Sequence, residues 1–381
     1  MTSQPHLVDG IDDPRIASIE PRSMLEHRDG IWWVLVVDRM RRTRRPTEVE
    51  KLLELLGERR TQLGGLRLTG AQEQASGARG MVSTWLGWSG LSHFTHLDLS
   101  ECRIGKDGLK QLLGCGHVAR LEHLGLAGCD IGRQGVTMLK QSDDMPALRS
   151  LDLSASENDR TKWNDSMLKH LVSLTKKKPH GATLQGLEAL KLGRWDCHFS
   201  LKGLADSSLG RGLRVLDLDG QMSLCYGVLQ LLHGLARSGG RLEELRLRWV
   251  FRNYSVEDWN EPLVPLETLR RLVFDDGSFR AVHIAALSKA WFWPQLESLS
   301  LARCNLYPGT LDPWADAPVG PRRLCLDGNE HLGREALHAF AAYPMAAALE
   351  QLSLQKTARP EDLEGLPDPI LGAIEAAGGL D

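Results

Sequence analysis

The sequence lacks the segments that carry a protein into a membrane or out of the cell. Its longest apolar run of this kind, residues 31–37, has seven residues, whereas a membrane-spanning helix needs about 20. The chain begins with no basic segment followed by an apolar one, and its seven cysteines form no Cys-x-x-Cys pair. We therefore expect no secretory signal, reduced thiols, a cytoplasmic location and no membrane partner.

The motifs of the common enzyme classes are also missing. The sequence contains no phosphate loop of the form Gly-x-x-x-x-Gly-Lys-[Ser/Thr], no His-Glu-x-x-His helix and no Gly-x-Ser-x-Gly elbow. The nearest dinucleotide-like match, Gly114-x-Gly116-x-x-Ala119, follows a predicted helix instead of a strand, which is the wrong context for that motif. We therefore expect no catalytic residue, no cofactor and a non-enzymatic function.

The chain has little charge imbalance, since 46 Lys and Arg face 49 Asp and Glu for a net charge of −3. Strong attraction to polyanions needs a basic domain or stripe. Two basic runs, residues 39–45 and 176–178, contain no aromatic residue, so on their own they support only salt-dependent, non-specific binding. We interpret both runs as solvated charge, and nucleic-acid binding through the first run stays as the less favoured alternative.

What the sequence has in excess is leucine: 66 of 381 residues. The phrase Leu-x-x-Leu-x-Leu, or a close variant of it, recurs eleven times, mostly at steps of 25 to 31 residues with one step of 39. The fourth residue of the phrase is Leu66, Leu97, Leu124, Leu151, Leu190, Leu216, Leu245, Leu272, Leu299, Leu324 and Leu352. A chain this long exceeds a single core, so the repeat predicts a solenoid that grows in one direction.

Each repeat is predicted to form a strand, a turn and a helix. Alternate residues of a strand point to opposite faces, so the second and third leucines of the phrase point to the core. Between phrases the apolar residues follow helical spacing, as in residues 104–113, 131–140 and 332–341. The strands therefore stack in parallel, with their helices on the other side.

These residues resemble the leucine-rich repeat family, and the period with a full helix is similar to its ribonuclease-inhibitor-like subclass. The match covers residues 63 to about 357 and includes the family's polar residue after the strand, here Cys102, Cys129, Cys304 and Asn329. Four other residues depart from it at this position: Trp195, Gln221, Val250 and Gly277. The resemblance implies an α/β horseshoe with a parallel sheet on the concave face, helices on the convex face, and about 11 repeats plus caps.

We interpret the cysteines at the polar position as weak hydrogen-bonding groups in turns and not as nucleophiles. We divide the chain into an N-terminal cap over residues 1–60, a solenoid over 61–357 and a C-terminal cap over 358–381. In the first cap, Trp32, Leu35 and Val37 repeat the inward spacing of the leucine phrase, and an amphipathic helix follows at 46–60. The 39-residue step carries an insertion within 156–183, which is a candidate contact loop.

Two groups of outward strand residues are candidates for function and are weighed against structural roles. The residue after the first leucine alternates in sign over nine repeats: Glu122, Arg149, Glu188, Arg214, Glu243, Arg270, Glu297, Arg322 and Glu350. We interpret this series, the charge ladder, as structural, because neighbouring strands lie about 4.8 Å apart and opposite charges there stabilise each other. His96 and His123 stand at one outward position beside Asp98; a metal site needs three or four ligands, so we interpret them as surface residues.

The central repeats carry the densest set of charged outward residues, and we predict a partner-binding surface there. Its residues are Lys191, Arg194, Asp217, Asp219, Glu244, Arg246, Arg248, Trp249, Arg271 and Asp275, with Asp276 adjoining. Trp and Arg are enriched at the energetic centres of interfaces, so Trp249 with Arg246 and Arg248 is the expected anchor. The alternative is that Trp249 packs under the loop at 251–259.

The resulting hypothesis is a monomeric scaffold that binds an unknown protein partner on its concave face, as an inhibitor, adaptor or sensor. Fold analogy carries part of this hypothesis, and a fold alone does not fix function. The alternative is a regulator of the GTPase-activating type that acts on a partner enzyme.

Overall fold

A computed structural model describes residues 25–28, 30–35, 46–56, 63–68, 84–156, 163–173, 181–195, 201–220, 225–248 and 266–378. The chain divides into two units. Unit 1 consists of residues 1–162 and 174–190, and unit 2 consists of residues 163–173 and 191–381.

Unit 1 begins with one antiparallel pair of strands and continues in parallel. Strand β1 (Leu25–Arg28) pairs antiparallel with β2 (Ile31–Leu35). From β2 onward the strands pair in parallel and in chain order: β3 (Leu63–Arg67), β4 (His96–Asp98), β5 (His123–Gly125) and β6 (Ser150–Asp152). The next strand, β7 (Ala189–Lys191), includes the boundary of the unit, which falls between Leu190 and Lys191.

Unit 2 continues the same pattern with parallel strands alone. Its strands are β8 (Val215–Asp217), β9 (Glu244–Arg246), β10 (Arg271–Val273), β11 (Ser298–Ser300), β12 (Arg323–Cys325) and β13 (Gln351–Ser353). Each leucine at the register position stands opposite the leucine of the next strand, and all of them are buried. The strand residues that alternate with these leucines form the open face of the sheet.

The helices lie on the leucine side and complete the core. They are α1 (Pro46–Leu56), α2 (Gly105–Gly114), α3 (Gly132–Gln141), α4 (Asp165–Val172), α5 (Ala182–Gln185), α6 (Leu201–Asp206), α7 (Ser208–Gly212), α8 (Cys225–Ser238), α9 (Ala281–Lys289), α10 (Gly333–Ala341) and α11 (Asp368–Ala376). Short 3₁₀ helices occupy Ser89–His93, Trp293–Gln295, Asp312–Trp314, Ala346–Ala348 and Pro360–Leu363. In α2, Leu109, Leu112 and Leu113 are buried, which is the face expected from spacing of three and four residues. The predicted α/β leucine-rich repeat solenoid, with parallel strands and helices, is confirmed.

The polar residue after the strand binds the preceding repeat. The Sγ atoms of Cys102, Cys129 and Cys304 donate to the carbonyl oxygens of residues 68, 99 and 274 at 2.8, 2.9 and 2.9 Å, and Asn329 Nδ2 donates to residue 301 at 2.9 Å. Burial raises the pKa of the Cys102 thiol to about 12, so it remains a neutral donor. The interpretation of these cysteines as turn groups is confirmed. Among the departures, Trp195 is buried and stacks on Trp163 at 4.6 Å, whereas positions 221 and 250 lie outside the described residues.

The expected inward set of the first strand was wrong at Leu35. Parallel pairing sets Val34 opposite Leu66 and Leu35 opposite Arg67, so Val34 is the core residue and Trp33 and Leu35 belong to the open face. The reason is local: β2 starts directly after a turn at Gly30 (φ 78°), and its register against β3 shifts between Trp32 and Trp33. Position 37 lies outside the described residues.

The last strand is covered by a helix. The side chain of Gln351, on β13, donates from Nε2 to the Ala376 carbonyl of α11 at 3.3 Å, and Ile370 and Ile374 of that helix are buried. A terminal repeat needs such a cover because its core leucines would otherwise face water.

Candidate functional site

In eight of the described repeats, the turn after the strand has a left-handed position, four residues beyond the register leucine. A positive φ occurs at Glu101, Gly128, Arg194, Gly220, Asp276, Arg303, Gly328 and Lys356. In unit 2 a long side chain at this position lies over the glycine of the next repeat. A Cβ atom on Gly220 would stand 2.8 Å from Cγ of Arg194, and one on Gly328 would stand 2.7 Å from Cγ of Arg303. Glycine thus provides both the positive φ and the space.

Aspartates three residues beyond the register leucine accept hydrogen bonds from backbone N–H groups in the turn of the next repeat. Asp219 Oδ1 accepts a hydrogen bond from the backbone N–H of Arg248 at 3.1 Å, and Asp275 Oδ1 accepts one from Ala302 at 3.2 Å. Asp327 Oδ1 does the same for residue 355 at 2.8 Å. The predicted contact residues Asp219 and Asp275 therefore have a structural role at this position, which the sequence-based prediction did not include.

A buried glutamate lies beneath two arginines at the centre of the open face in unit 2. Glu244 Oε1 accepts from Arg246 Nε at 2.5 Å, and Glu244 Oε2 accepts from Arg271 Nη1 at 3.2 Å. The desolvation of a buried carboxylate is offset only by close opposite charges and hydrogen bonds. The Glu244 carboxylate therefore holds both guanidinium groups in place through hydrogen bonds.

The second acid at the centre is Asp219, whose Oδ2 lies 3.1 Å from Nε of Arg248. Burial raises the pKa of Asp219 to about 6, and the neighbouring Asp217 carboxylate adds to this, while Arg248 opposes it. Asp217 itself is a buried strand residue that accepts from the Asp219 backbone N–H at 3.1 Å. The two carboxylates and the guanidinium therefore act on one another electrostatically.

A third pair, absent from the predicted site, joins Arg303 to Asp276. The guanidinium binds both carboxylate oxygens, with Nε–Oδ1 at 2.5 Å and Nη2–Oδ2 at 3.0 Å. The hydrogen bonds that Arg303 donates to Asp276 lower the pKa of the carboxyl group and raise the pKa of the guanidinium group. Arg303 and Asp276 each occupy the left-handed position of their turn, in neighbouring repeats. Aligning the repeats by their register leucines would have predicted this pair, whereas the residues around Arg303 in the sequence do not.

These pairs share an asymmetry in exposure. We call the four arginines Arg246, Arg248, Arg271 and Arg303 the arginine strip; their side chains are 38, 40, 52 and 53% exposed. The acids that they contact, Glu244, Asp219 and Asp276, are only 9, 25 and 25% exposed. The carboxylates thus lie beneath the arginine side chains, which form the solvent-exposed surface of this part of the open face.

The charge ladder has no such asymmetry. Pairs run from an arginine to the glutamate of the next repeat: Arg149–Glu188 at 4.0 Å, Arg214–Glu243 at 2.9 Å, Arg270–Glu297 at 3.5 Å and Arg322–Glu350 at 3.0 Å. In the last pair both side chains are more than half exposed, at 69 and 60%. The interpretation of the ladder as ion pairs between strands is confirmed for these four pairs.

The remaining predicted site residues are distributed as follows. Arg194 is exposed in its left-handed turn, and its backbone N–H donates to the Asp219 carbonyl at 2.6 Å. Lys191 is half-buried at the end of β7. Asp275 is directed toward the following repeat, where it also accepts from Ser300 Oγ at 2.5 Å. Trp249, the expected anchor, lies outside the described residues, so neither interpretation of it is decided.

Aromatic residues of the chain itself cover the open face of unit 1 from β2 to β5. The ring of Trp33 lies over Gly65 and meets His96 and His123 edge-on at 5.8 and 6.4 Å between ring centroids. The two histidines stack at 5.7 Å, and burial lowers the pKa of His96. Arg67 covers the Trp33 ring at 5.3 Å. No cluster of three or more potential metal ligands occurs within the described part of the chain.

Fold and surface together define the class: an α/β leucine-rich repeat solenoid with a charged open face. No family model matches the chain, and no curated protein matches it. The chain is similar to one in a solved structure, the crystal structure of the Rad7 and Elc1 complex in yeast. The identity is 16%, the TM-score is 0.49, and the match covers 84% of this chain and 80% of that one. So distant a likeness carries no information about partners. No helix in the described ranges is long and apolar enough to cross a membrane.

Proposed function

We propose that this protein is a non-enzymatic scaffold that binds a protein partner on the open face of unit 2. The observation that carries the proposal is the arginine strip, in which exposed guanidinium groups are held in place by carboxylates beneath them. Contacts that are ordered before binding lose less conformational entropy on association. Arginine is also enriched among the residues that dominate binding energy at interfaces.

The strip retains donors for a partner. A guanidinium carries five N–H donors in a fixed fork, whereas Arg246 contacts Glu244 through Nε and Arg271 contacts it through Nη1. The other N–H groups of these partly exposed side chains make no hydrogen bond to that carboxylate. They suit recognition of acceptor groups on a second molecule.

The proposal includes three finer points: a cytoplasmic location, a monomeric state and membership of the ribonuclease-inhibitor-like subclass. The last is supported by the helices that connect strands, such as α3 with 10 residues and α9 with 9 residues. Helices of this length distinguish a full strand–helix repeat from one with a short connection.

Site-specific photocrosslinking in the cell of origin tests the proposal. A photoreactive residue at Ser298, on the open face in β11, is expected to give a discrete protein adduct. The matched control is Lys289, which is exposed at the end of α9, and it is expected to give none. Equal adducts from both positions, or none from Ser298, would contradict the proposed face.

A further inference from the structure

We propose that the arginine strip recognises an acidic segment of the partner, a stretch of chain rich in Asp and Glu. This inference rests on the proposed function and adds the chemistry of the partner to it.

The first step is the exposure asymmetry. Four guanidinium groups face five carboxylates when buried Asp217 and Asp275 are included, so a positive potential arises only at the outer surface, where the guanidinium groups lie above the acids. Coulomb interactions weaken with distance and with the solvent between the charges. A molecule at the surface meets the arginines first, with the acids beneath them, so it experiences a positive local potential.

The second step is the spacing. Arg246, Arg271 and Arg303 belong to three consecutive repeats, through β9, β10 and the turn after β11. Neighbouring strands lie about 4.8 Å apart, and alternate side chains of an extended peptide lie roughly 7 Å apart on one face. Long arginine side chains can bridge this difference, so carboxylates at alternate positions of a peptide that crosses the strands each reach a guanidinium group.

The third step is the choice of a carboxylate ligand. Guanidinium groups bind planar carboxylates in a two-pronged geometry, and Arg303 already binds Asp276 in this way. Recognition of single-stranded nucleic acid relies on exposed aromatic rings for base stacking. The described part of the strip presents arginines without such rings, which favours a peptide over a nucleic acid.

The test uses fluorescence anisotropy with a labelled oligoglutamate peptide of about ten residues, which extends to roughly 33 Å. Oligolysine and a single-stranded oligonucleotide of equal charge to the oligoglutamate are the comparison probes. The test variant is Arg248→Gln/Arg271→Gln/Arg303→Gln, which leaves Arg246 to pair with buried Glu244. The control variant, Arg211→Gln/Arg237→Gln/Arg334→Gln, removes the same charge from exposed helix residues of unit 2.

We expect oligoglutamate to bind the wild type, to bind about tenfold more weakly to the strip variant, and to bind the control variant like the wild type. Affinity should fall as salt rises. Equal loss in both variants, or tighter binding of oligolysine or of the oligonucleotide, would overturn the inference. If the strip variant does not fold, the single variant Arg303→Gln replaces it. This variant should fold, because Asp276, which loses its partner, is partly exposed to water. We expect Arg303→Gln to bind oligoglutamate more weakly than the wild type, and unchanged binding would overturn the inference.

Failure of this inference is distinguishable from failure of the proposed function. If Ser298 still crosslinks to a protein partner while oligoglutamate does not bind, the scaffold stands and the acidic chemistry is wrong. If neither signal is obtained, both are wrong.

Discussion

The two units are built from the same repeat but use their open faces differently. In unit 1, Trp33 crosses Gly65 and packs on His96 and His123, so the face is occupied by the chain itself. In unit 2, the arginines lie over carboxylates, and their side chains are 38 to 53% exposed. The leucine positions are the same in both units. The residues between the leucines therefore decide whether a face is covered by the chain's own aromatic rings or presents charged side chains to solvent.

The largest effect is expected at Asn329 in unit 2, where an amide occupies the polar position that Cys129 occupies in unit 1. Asn329 Oδ1 accepts from the backbone N–H groups of Cys304 and Leu306 at 2.9 and 3.2 Å, and Nδ2 donates to the Leu301 carbonyl at 2.9 Å. Asn329→Ala leaves these buried groups without partners and should lower the free energy of unfolding by about 4 kcal/mol. Cys129→Ala, in unit 1, loses one weak thiol bond and should cost about 1 kcal/mol. Denaturant unfolding measures both, and equal losses would contradict the distinction.

A smaller effect is expected from adding a Cβ atom at Gly65, where the Trp33 ring lies against the backbone. A Cβ atom on Gly65 would stand 2.3 Å from the Trp33 ring, so Gly65→Ala must displace the indole and should destabilise unit 1 by about 2 to 3 kcal/mol. Gly114→Ala is the control, because its Cβ atom meets nothing within 4 Å. Thermal unfolding followed by tryptophan fluorescence checks the pair. Tolerance of Gly65→Ala, with unchanged fluorescence, would show that Trp33 does not fill this face.

How far the sequence predicts these faces depends on the residue. The leucine phrase predicts every parallel strand from β3 to β13, because burial of alternate residues leaves little freedom of register. It does not predict the place of Trp33, which depends on a register shift after a hairpin. It also misses Arg303, because the pairing of this residue with Asp276 depends on two left-handed turns one repeat apart. Asp219 stays a predicted contact residue, and its bond to the next turn is not predicted because it depends on backbone geometry.

The third prediction concerns pH and applies to unit 2. An unperturbed aspartate has a pKa of about 3.9, whereas the pKa of Asp219 is about 6. The folded protein therefore holds this proton to higher pH than the unfolded chain, and the resulting stabilisation is lost as pH rises from about 4 to about 6. Asp219→Asn keeps an acceptor for the Arg248 N–H and should be about 1 kcal/mol more stable than the wild type at pH 7, with no gain near pH 4.

Unfolding as a function of pH checks this prediction. Asp327→Asn is the matched control, because it occupies the same position of its repeat with the hydroxyl of Ser353 beside it at 2.7 Å instead of a second carboxylate. An identical pH response of the two variants would argue against coupling between Asp217 and Asp219.

The smallest effect belongs to the charge ladder. Arg214 binds Glu243 through Nε and Nη2, both at 2.9 Å, but the side chains are 50 and 34% exposed, so solvent screening limits the coupling to about 0.5 kcal/mol. Glu243→Arg should destabilise unit 2, and the exchange Arg214→Glu/Glu243→Arg should recover part of the loss. Purely additive effects in this double-mutant cycle would show that the ladder does not help to set the register.

The most direct test of the difference between the units is the affinity for the protein that crosslinks at Ser298. It is measured for the strip variant Arg248→Gln/Arg271→Gln/Arg303→Gln and for a unit 1 variant, Arg67→Gln/His96→Gln. We predict about tenfold weaker binding for the strip variant and unchanged binding for the unit 1 variant. Loss of binding in the unit 1 variant with no change in the strip variant would contradict the assignment of the partner to the open face of unit 2.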